Sequence, residues 1–148
     1  MSKSPNLNRH ARVAALANVQ KLVARAALGR ARAADDEAQA SLLSARADRD
    51  DTRQFWQERL VAPILDPVLV GQLAHLLAEK ETAHDKAEKA NVETRAHVLA
   101  RQTDLGEAEG RHSAIKRALA KAQRRSRRKR EEAAAAAHEC ATSKRVRA

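Results

Sequence analysis

The chain has 148 residues, a net charge of +10, 32% charged residues and only 1% aromatic residues, with no Tyr. So few large side chains exclude a thick globular core, and the dominance of Ala, Arg, Leu, Glu and Lys is the profile of long helices or coiled coil. A mean hydropathy of −0.63 with this net charge would also suit a disordered chain, so the spacing of the apolar residues has to decide.

The N-terminal stretch has no uninterrupted apolar run, and no segment approaches the ~20 apolar residues of a membrane span. A cytoplasmic, non-inserted protein is expected. Ser4 or Asn6 can cap a first helix, with Pro5 in its first turn. From there to Leu60 only Gly29 interrupts the helix formers. Leu7, Ala14, Lys21, Leu28, Asp35, Leu42, Arg49 and Trp56 recur every seventh residue, with His10, Ala17, Ala24, Ala31, Ala38, Ala45 and Thr52 three residues after each. This defines a thin seam. Val13, Leu16, Val19, Leu22 and Val23 lie off it, which widens the apolar arc of the first half-helix and predicts a second partner there.

The helix must stop at Leu60 to Gly71. Pro63 removes a backbone donor and pushes Ala62 out of the α region, and Asp66-Pro67 restarts a helix as N-cap and first helical residue. A turn of a few residues between two long helices predicts an antiparallel pair. In the second helix Val70, Leu77, His84, Asn91, Val98, Leu105, His112, Leu119, Ser126, Ala133 and Cys140 repeat every seventh residue. Leu73, Lys80, Ala87, Thr94, Arg101, Ala108, Ile115, Ala122, Lys129 and Ala136 hold the complementary position. Such persistence argues against disorder, and a buried Asn91 would penalise wrong registers at a cost in stability.

The expected fold is therefore all-α: a long antiparallel two-helix coiled-coil hairpin with unequal arms in one elongated domain. Its helices are expected over about 6–61 and about 67–138, its tip over about 62–66, and a basic overhang over about 121–148. At 1.5 Å per residue the arms would span roughly 80 and roughly 110 Å. Counting from a tip near residue 64 sets Asn6 beside a residue near 122, which leaves Arg124 onward as the overhang.

Charge is distributed unevenly. Residues 1 to 34 hold Lys3, Arg9, Arg12, Lys21, Arg25, Arg30 and Arg32 and no acidic residue, whereas acids begin abruptly at Asp35-Asp36-Glu37. Folding would bring this segment beside the run Arg124, Arg125, Arg127, Arg128, Lys129 and Arg130. Three readings of that run stay open: a phosphate-neutralising patch, a surface for an acidic protein, and a solvated helical terminus whose cations favour the macrodipole. The lack of nearby aromatics counts against base stacking.

Phe55 and Trp56 are the only aromatics. Trp56 lies on the seam and is expected to cover Val68, Leu69 or Leu73, while Phe55 points elsewhere and is the better exposed anchor, with Ile64 and Leu65 as neighbours. The six histidines, among them His84 and His112 at core positions, never fall at i,i+3 or i,i+4, so no metal site is expected. Cys140 stands alone, with no intramolecular disulfide to form. With no phosphate loop, nucleophile elbow or HExxH motif, no enzyme and no cofactor are expected.

The long paired helices, and the run Phe55-Trp56-Gln57-Glu58-Arg59-Leu60 just before the tip, resemble the small central-stalk proteins of bacterial type III secretion and flagellar export, the FliJ/YscO-like family. The resemblance implies a non-enzymatic stalk whose open end enters a hexameric secretion ATPase and whose tip projects towards an export-gate protein. Arg9, Arg12, Arg25 and the run from Arg124 to Arg130 would face the ATPase; Phe55, Trp56, Ile64 and Leu65 would make the tip contacts. It also implies a cytoplasmic position peripheral to an inner-membrane secretion apparatus. A basic coiled coil that binds nucleic acid and a stator-like adaptor that forms a homo-oligomer through its weak seam are the alternatives.

Overall fold

The computed structural model describes residues 5–146, with side chains described over 7–140. It is an all-α helical hairpin in which α1 (Pro5–Leu60, 56 residues) and α2 (Pro67–Val146, 80 residues) pack against each other. The arms are unequal, as expected. The second helix continues to Val146 instead of ending near residue 138; no Gly or Pro occurs between Gly110 and Val146 to stop it. Ser4 lies outside the described residues, as does the side chain of Asn6, so neither cap assignment bears on the helix start.

The turn forms as its prolines dictate. The Ala62 amide donates to the Arg59 carbonyl at 3.4 Å, closing α1, and the Val70 amide donates to the Asp66 carbonyl at 3.0 Å, opening α2. Asp66 Oδ1 accepts from the amides of Val68 at 3.0 Å and Leu69 at 3.3 Å. These are two of the donors that a helix start leaves without an intrahelical partner.

Contacts group the helices into two units. The turn-bearing unit, Arg25–Asp104, contains the turn and the helical stretches on either side of it. Leu28, Leu73 and Asn91 are its buried residues, and Asp35, Ala38, Leu42, Ala45, Arg49, Thr52 and Trp56 face Leu77, Lys80, His84, Ala87, Thr94 and Val98 as half-buried seam positions. Three polar contacts cross between the helices: Lys80 Nζ to Asp48 Oδ2 at 2.9 Å, Arg53 Nη2 to Glu81 Oε1 at 3.0 Å, and Thr94 Oγ1 to Asp35 Oδ1 at 2.8 Å. Facing 48 with 80 and 35 with 94 is the pairing expected for a turn centred near residue 64.

The terminal unit comprises the described parts of Met1–Ala24 and Leu105–Ala148. Ala17 and Ala108 are buried there, with Leu7, Ala14, Lys21 and Ala24 half-buried on α1, and Leu105, His112, Ile115, Leu119, Ala122 and Ser126 half-buried on α2. Two small side chains at the centre allow close approach but bury little apolar area.

The heptad positions thus coincide with buried and half-buried residues from Leu7 to Trp56 and from Val70 to Ser126, with two exceptions. His10 is exposed, and Arg101 is exposed and paired with Asp104 at 2.9 Å one turn later. Beyond Ser126 the repeat continues in the sequence, but Lys129, Ala133, Ala136 and Cys140 are all exposed. Half-buried repeat positions on α2 thus extend as far as Ser126 among the described residues.

Candidate interaction surfaces

Two surfaces hold the residues that the sequence singles out. The first is the turn. Ile64 is 88% exposed, Val61 83%, Val68 69% and Leu65 53%, with Leu60 and Phe55 each at 42%. The cause is local: Pro63 and Pro67 bracket a segment too short to fold back, so its aliphatic side chains have no second layer to enter. Phe55 is exposed as expected, and the Arg59 guanidinium stands over its ring at 4.9 Å from the centroid, a stacking geometry that keeps the face occupied.

Trp56 differs from its neighbour. It is half-buried on the seam, and its Nε1 is sealed from solvent with no hydrogen-bond partner. Its indole belongs to the packing of the hairpin. Leu73 is buried and Leu69 half-buried, whereas Val68 is exposed. The structure adds Val61, Val68 and Leu60 to the exposed apolar set; the signal for them was their position within a few residues of Pro63, where helical pairing must lapse.

The second surface is basic and lies in the terminal unit. Arg9, Arg12, Arg124, Arg125, Arg127, Arg128, Lys129 and Arg130 are all exposed. Arg125, Lys129 and Arg130 join Leu7, His10 and Lys121 around an open groove of about 690 Å³, where the α2 seam passes the start of α1. A smaller groove of about 480 Å³ is lined by Lys121, Arg124, Arg125, Arg127, Arg128 and Glu131. Arg127 Nε donates to Glu131 Oε1 at 2.8 Å, which partly satisfies one cation. Arg9 and Arg12 line neither groove. Arg25 is exposed in the turn-bearing unit.

One cluster combines a single histidine with two carboxylates. His84, Asp85 and Glu88 bring one ligand atom each to within 4.8 Å of one another on a single turn of α2, with His84 Nδ1 3.5 Å from Asp85 Oδ1. The pattern is His-Asp-x-x-Glu, an i,i+1,i+4 spacing that a His-only search passes over. His84 holds a seam position and is half-buried, so its ring is oriented by packing, while both carboxylates are solvated.

One carboxyl has a perturbed protonation equilibrium. Asp50 is held below its ordinary value of 3.8, first by the hydrogen bond from Arg49, which outweighs an opposing effect of desolvation, and then by the charges of Arg49, Arg46 and Arg53. Arg49 itself occupies the seam and turns its guanidinium outward to reach Asp50 at 2.7 Å. Among the described residues no helix is long and apolar enough to cross a membrane. Comparison with protein-family models, curated proteins and solved structures gives no match to this chain.

Proposed function

We propose that the chain is a non-enzymatic central stalk of a bacterial type III secretion ATPase complex, coupling a hexameric ATPase to an export-gate protein. The observation that carries this reading is the apolar turn, with Val61, Ile64 and Val68 between 69% and 88% exposed on an otherwise charged pair of helices. Aliphatic side chains so exposed at a single turn mark a contact surface for another protein. The basic surface of the terminal unit supplies a second contact of different chemistry, electrostatic and oriented by charge. Two dissimilar contact surfaces on paired helices are what a coupling element requires, and the resemblance of the Phe55-to-Leu60 run to secretion stalks supplies the partners. In this reading the chain is peripheral to the inner-membrane apparatus on its cytoplasmic side.

The exposed run Arg124, Arg125, Arg128, Lys129 and Arg130 favours a second reading, a basic coiled coil neutralising nucleic-acid phosphates. The two separate on salt and on the site used. The purified protein is run by size exclusion with light scattering, alone, with a hexameric secretion ATPase, and with duplex DNA at two salt concentrations. A defined complex that promotes ATPase hexamer formation, with salt-labile DNA binding only, supports the stalk. No ATPase effect, together with sub-micromolar DNA binding that survives moderate salt, overturns it.

A further inference from the structure

The terminal unit carries a second apolar stripe on α1 that the hairpin does not use. Leu16 is 59% exposed, Val19 55%, Leu22 52% and Val23 60%. The spacing 16, 19, 23 repeats the three-four step of a coiled-coil seam, and Leu22 widens it. At 100° per residue this stripe lies roughly 150° around the helix from the seam residues Ala14, Ala17, Lys21 and Ala24. Packing against α2 therefore cannot cover it. A surface helix with apolar residues scattered singly needs no explanation, but four aliphatics in register on one face form a continuous ridge.

Charge decides what fits. Arg9 and Arg12 precede the stripe, and no acidic residue occurs anywhere before Asp35. Among the described residues no ion pair engages Arg9, Arg12 or Lys21. A second copy laid on the stripe, parallel or antiparallel, would bring cations against cations, because the same acid-free segment faces itself. A membrane surface would match the charge but not the shape, since interfacial helices bury a broad apolar arc that includes Trp or Phe. This ridge is narrow, aliphatic, and backed by α2.

We propose that the Leu16–Val23 face of α1 is a docking surface for an acidic amphipathic helix of another protein, which lays Leu, Ile or Val into the ridge and Glu or Asp against Arg9 and Arg12. The partner helix completes a third layer on a unit in which Ala17 and Ala108 are the two buried residues among those described. This deepens the stalk reading, in which Arg9 and Arg12 face the ATPase, by naming the chemistry of the partner segment. It does not depend on the partner being an ATPase.

The test uses the full chain and no ATPase, so its failure is distinct from failure of the stalk assignment. The probe is a fluorescent synthetic heptad helix with Leu and Val on its apolar positions and Glu on the flanks, compared with the same peptide carrying Lys for Glu. Binding is read by anisotropy, alongside anionic phospholipid vesicles and sedimentation of the protein alone. The Glu peptide is expected to bind at least tenfold tighter than the Lys peptide. Leu16→Ser with Val23→Ser should weaken it at least tenfold, and Arg9→Glu with Arg12→Glu should reverse the preference. Circular dichroism of each variant should match the parent, because every substituted side chain is exposed. The proposal is overturned if Leu16→Ser with Val23→Ser leaves Glu-peptide binding unchanged. It is equally overturned by vesicle binding in place of peptide binding, or by self-association that this double substitution abolishes.

Discussion

Replacing Asn91 by Leu should stabilise this protein. Asn91 is 4% exposed, and its Nδ2 donates to nothing, so the seam of the turn-bearing unit holds an amide stripped of water on one side. A buried donor without a partner costs about 1–3 kcal/mol. Leucine removes that donor and is the better helix former by about 0.5 kcal/mol. It also adds apolar burial worth up to about 1.5–3 kcal/mol. Against these stands the rotamer entropy of an ordered Leu, about 0.5–1 kcal/mol. Leu matches Asn in heavy-atom count but is larger by roughly two methylenes, so overpacking of the seam costs about 1–3 kcal/mol. Allowing for this and for the usual shortfall of summed contributions, the net gain is about 1–2 kcal/mol, or roughly 3–6 °C in melting temperature for a chain of this size.

The assay is a thermal melt followed by helical circular dichroism, repeated in urea to check that the slope is unchanged. A melting temperature equal to or below that of the parent would refute the reasoning, because it would mean that the amide is satisfied in solution and contributes to stability. The gain also bears on why Asn stands there. A six-residue turn already restricts the intramolecular register, so a buried Asn is redundant for aligning α1 with α2. Its remaining use is to penalise pairing of this seam with helices of other molecules, and Asn91→Leu should therefore show more self-association by sedimentation than the parent.

Gly106→Ala and Gly110→Ala should each stabilise α2 by up to about 1 kcal/mol, since a Cβ at either position meets nothing within 4 Å; chemical denaturation of the single and double variants reads this directly. Asp66→Ala removes the acceptor for two amides of the first turn of α2 and should cost about 1 kcal/mol in the same assay, with Asp66→Asn nearly neutral. Asp50 ionises more readily folded than unfolded, so its contribution is present above 3.8 and is lost as the pH falls through the depressed folded value. A carboxyl titration by NMR should place Asp50 below 3.8, and Arg49→Gln should move it upward; because the pair is exposed to solvent, the change in melting temperature should be small.

The heptad repeat made the fold legible. Spacing alone selects Ala17, Leu28, Leu73, Asn91 and Ala108, which are the five buried residues among those described. It worked because a two-helix seam buries one stripe per helix, and period is then nearly the whole of the packing problem. The same reasoning overran at Lys129, Ala133 and Ala136, since a repeat can continue in a helix after its partner has ended. It misplaced Arg101 because a long cationic side chain at a seam position can turn out to Asp104. The turn was legible through Pro63, Asp66 and Pro67, whose constraints are local. How far its apolar residues stand out was not, because exposure depends on what else packs near them, and among the described residues nothing covers Val61, Ile64 or Val68.

The interaction surfaces follow a different logic from the fold. Seam residues are read from a repeat, whereas Leu16, Val19, Leu22 and Val23 were noticed because they break it. In a hairpin with one seam, each helix has a single face that intramolecular packing can cover, so a second ridge in register is an excess of apolar surface that folding cannot use. The turn holds the other such excess, at Val61, Ile64 and Val68. Neither ridge nor turn helps the folded chain on its own, since both leave aliphatic area in water at about 25 cal/mol per Å². Charge then separates them. The ridge follows Arg9 and Arg12 in a segment with no acids, while the turn is flanked by Glu58, Arg59 and Asp66, of both signs. In the proposed reading, an acidic partner is therefore selected at the ridge and not at the turn.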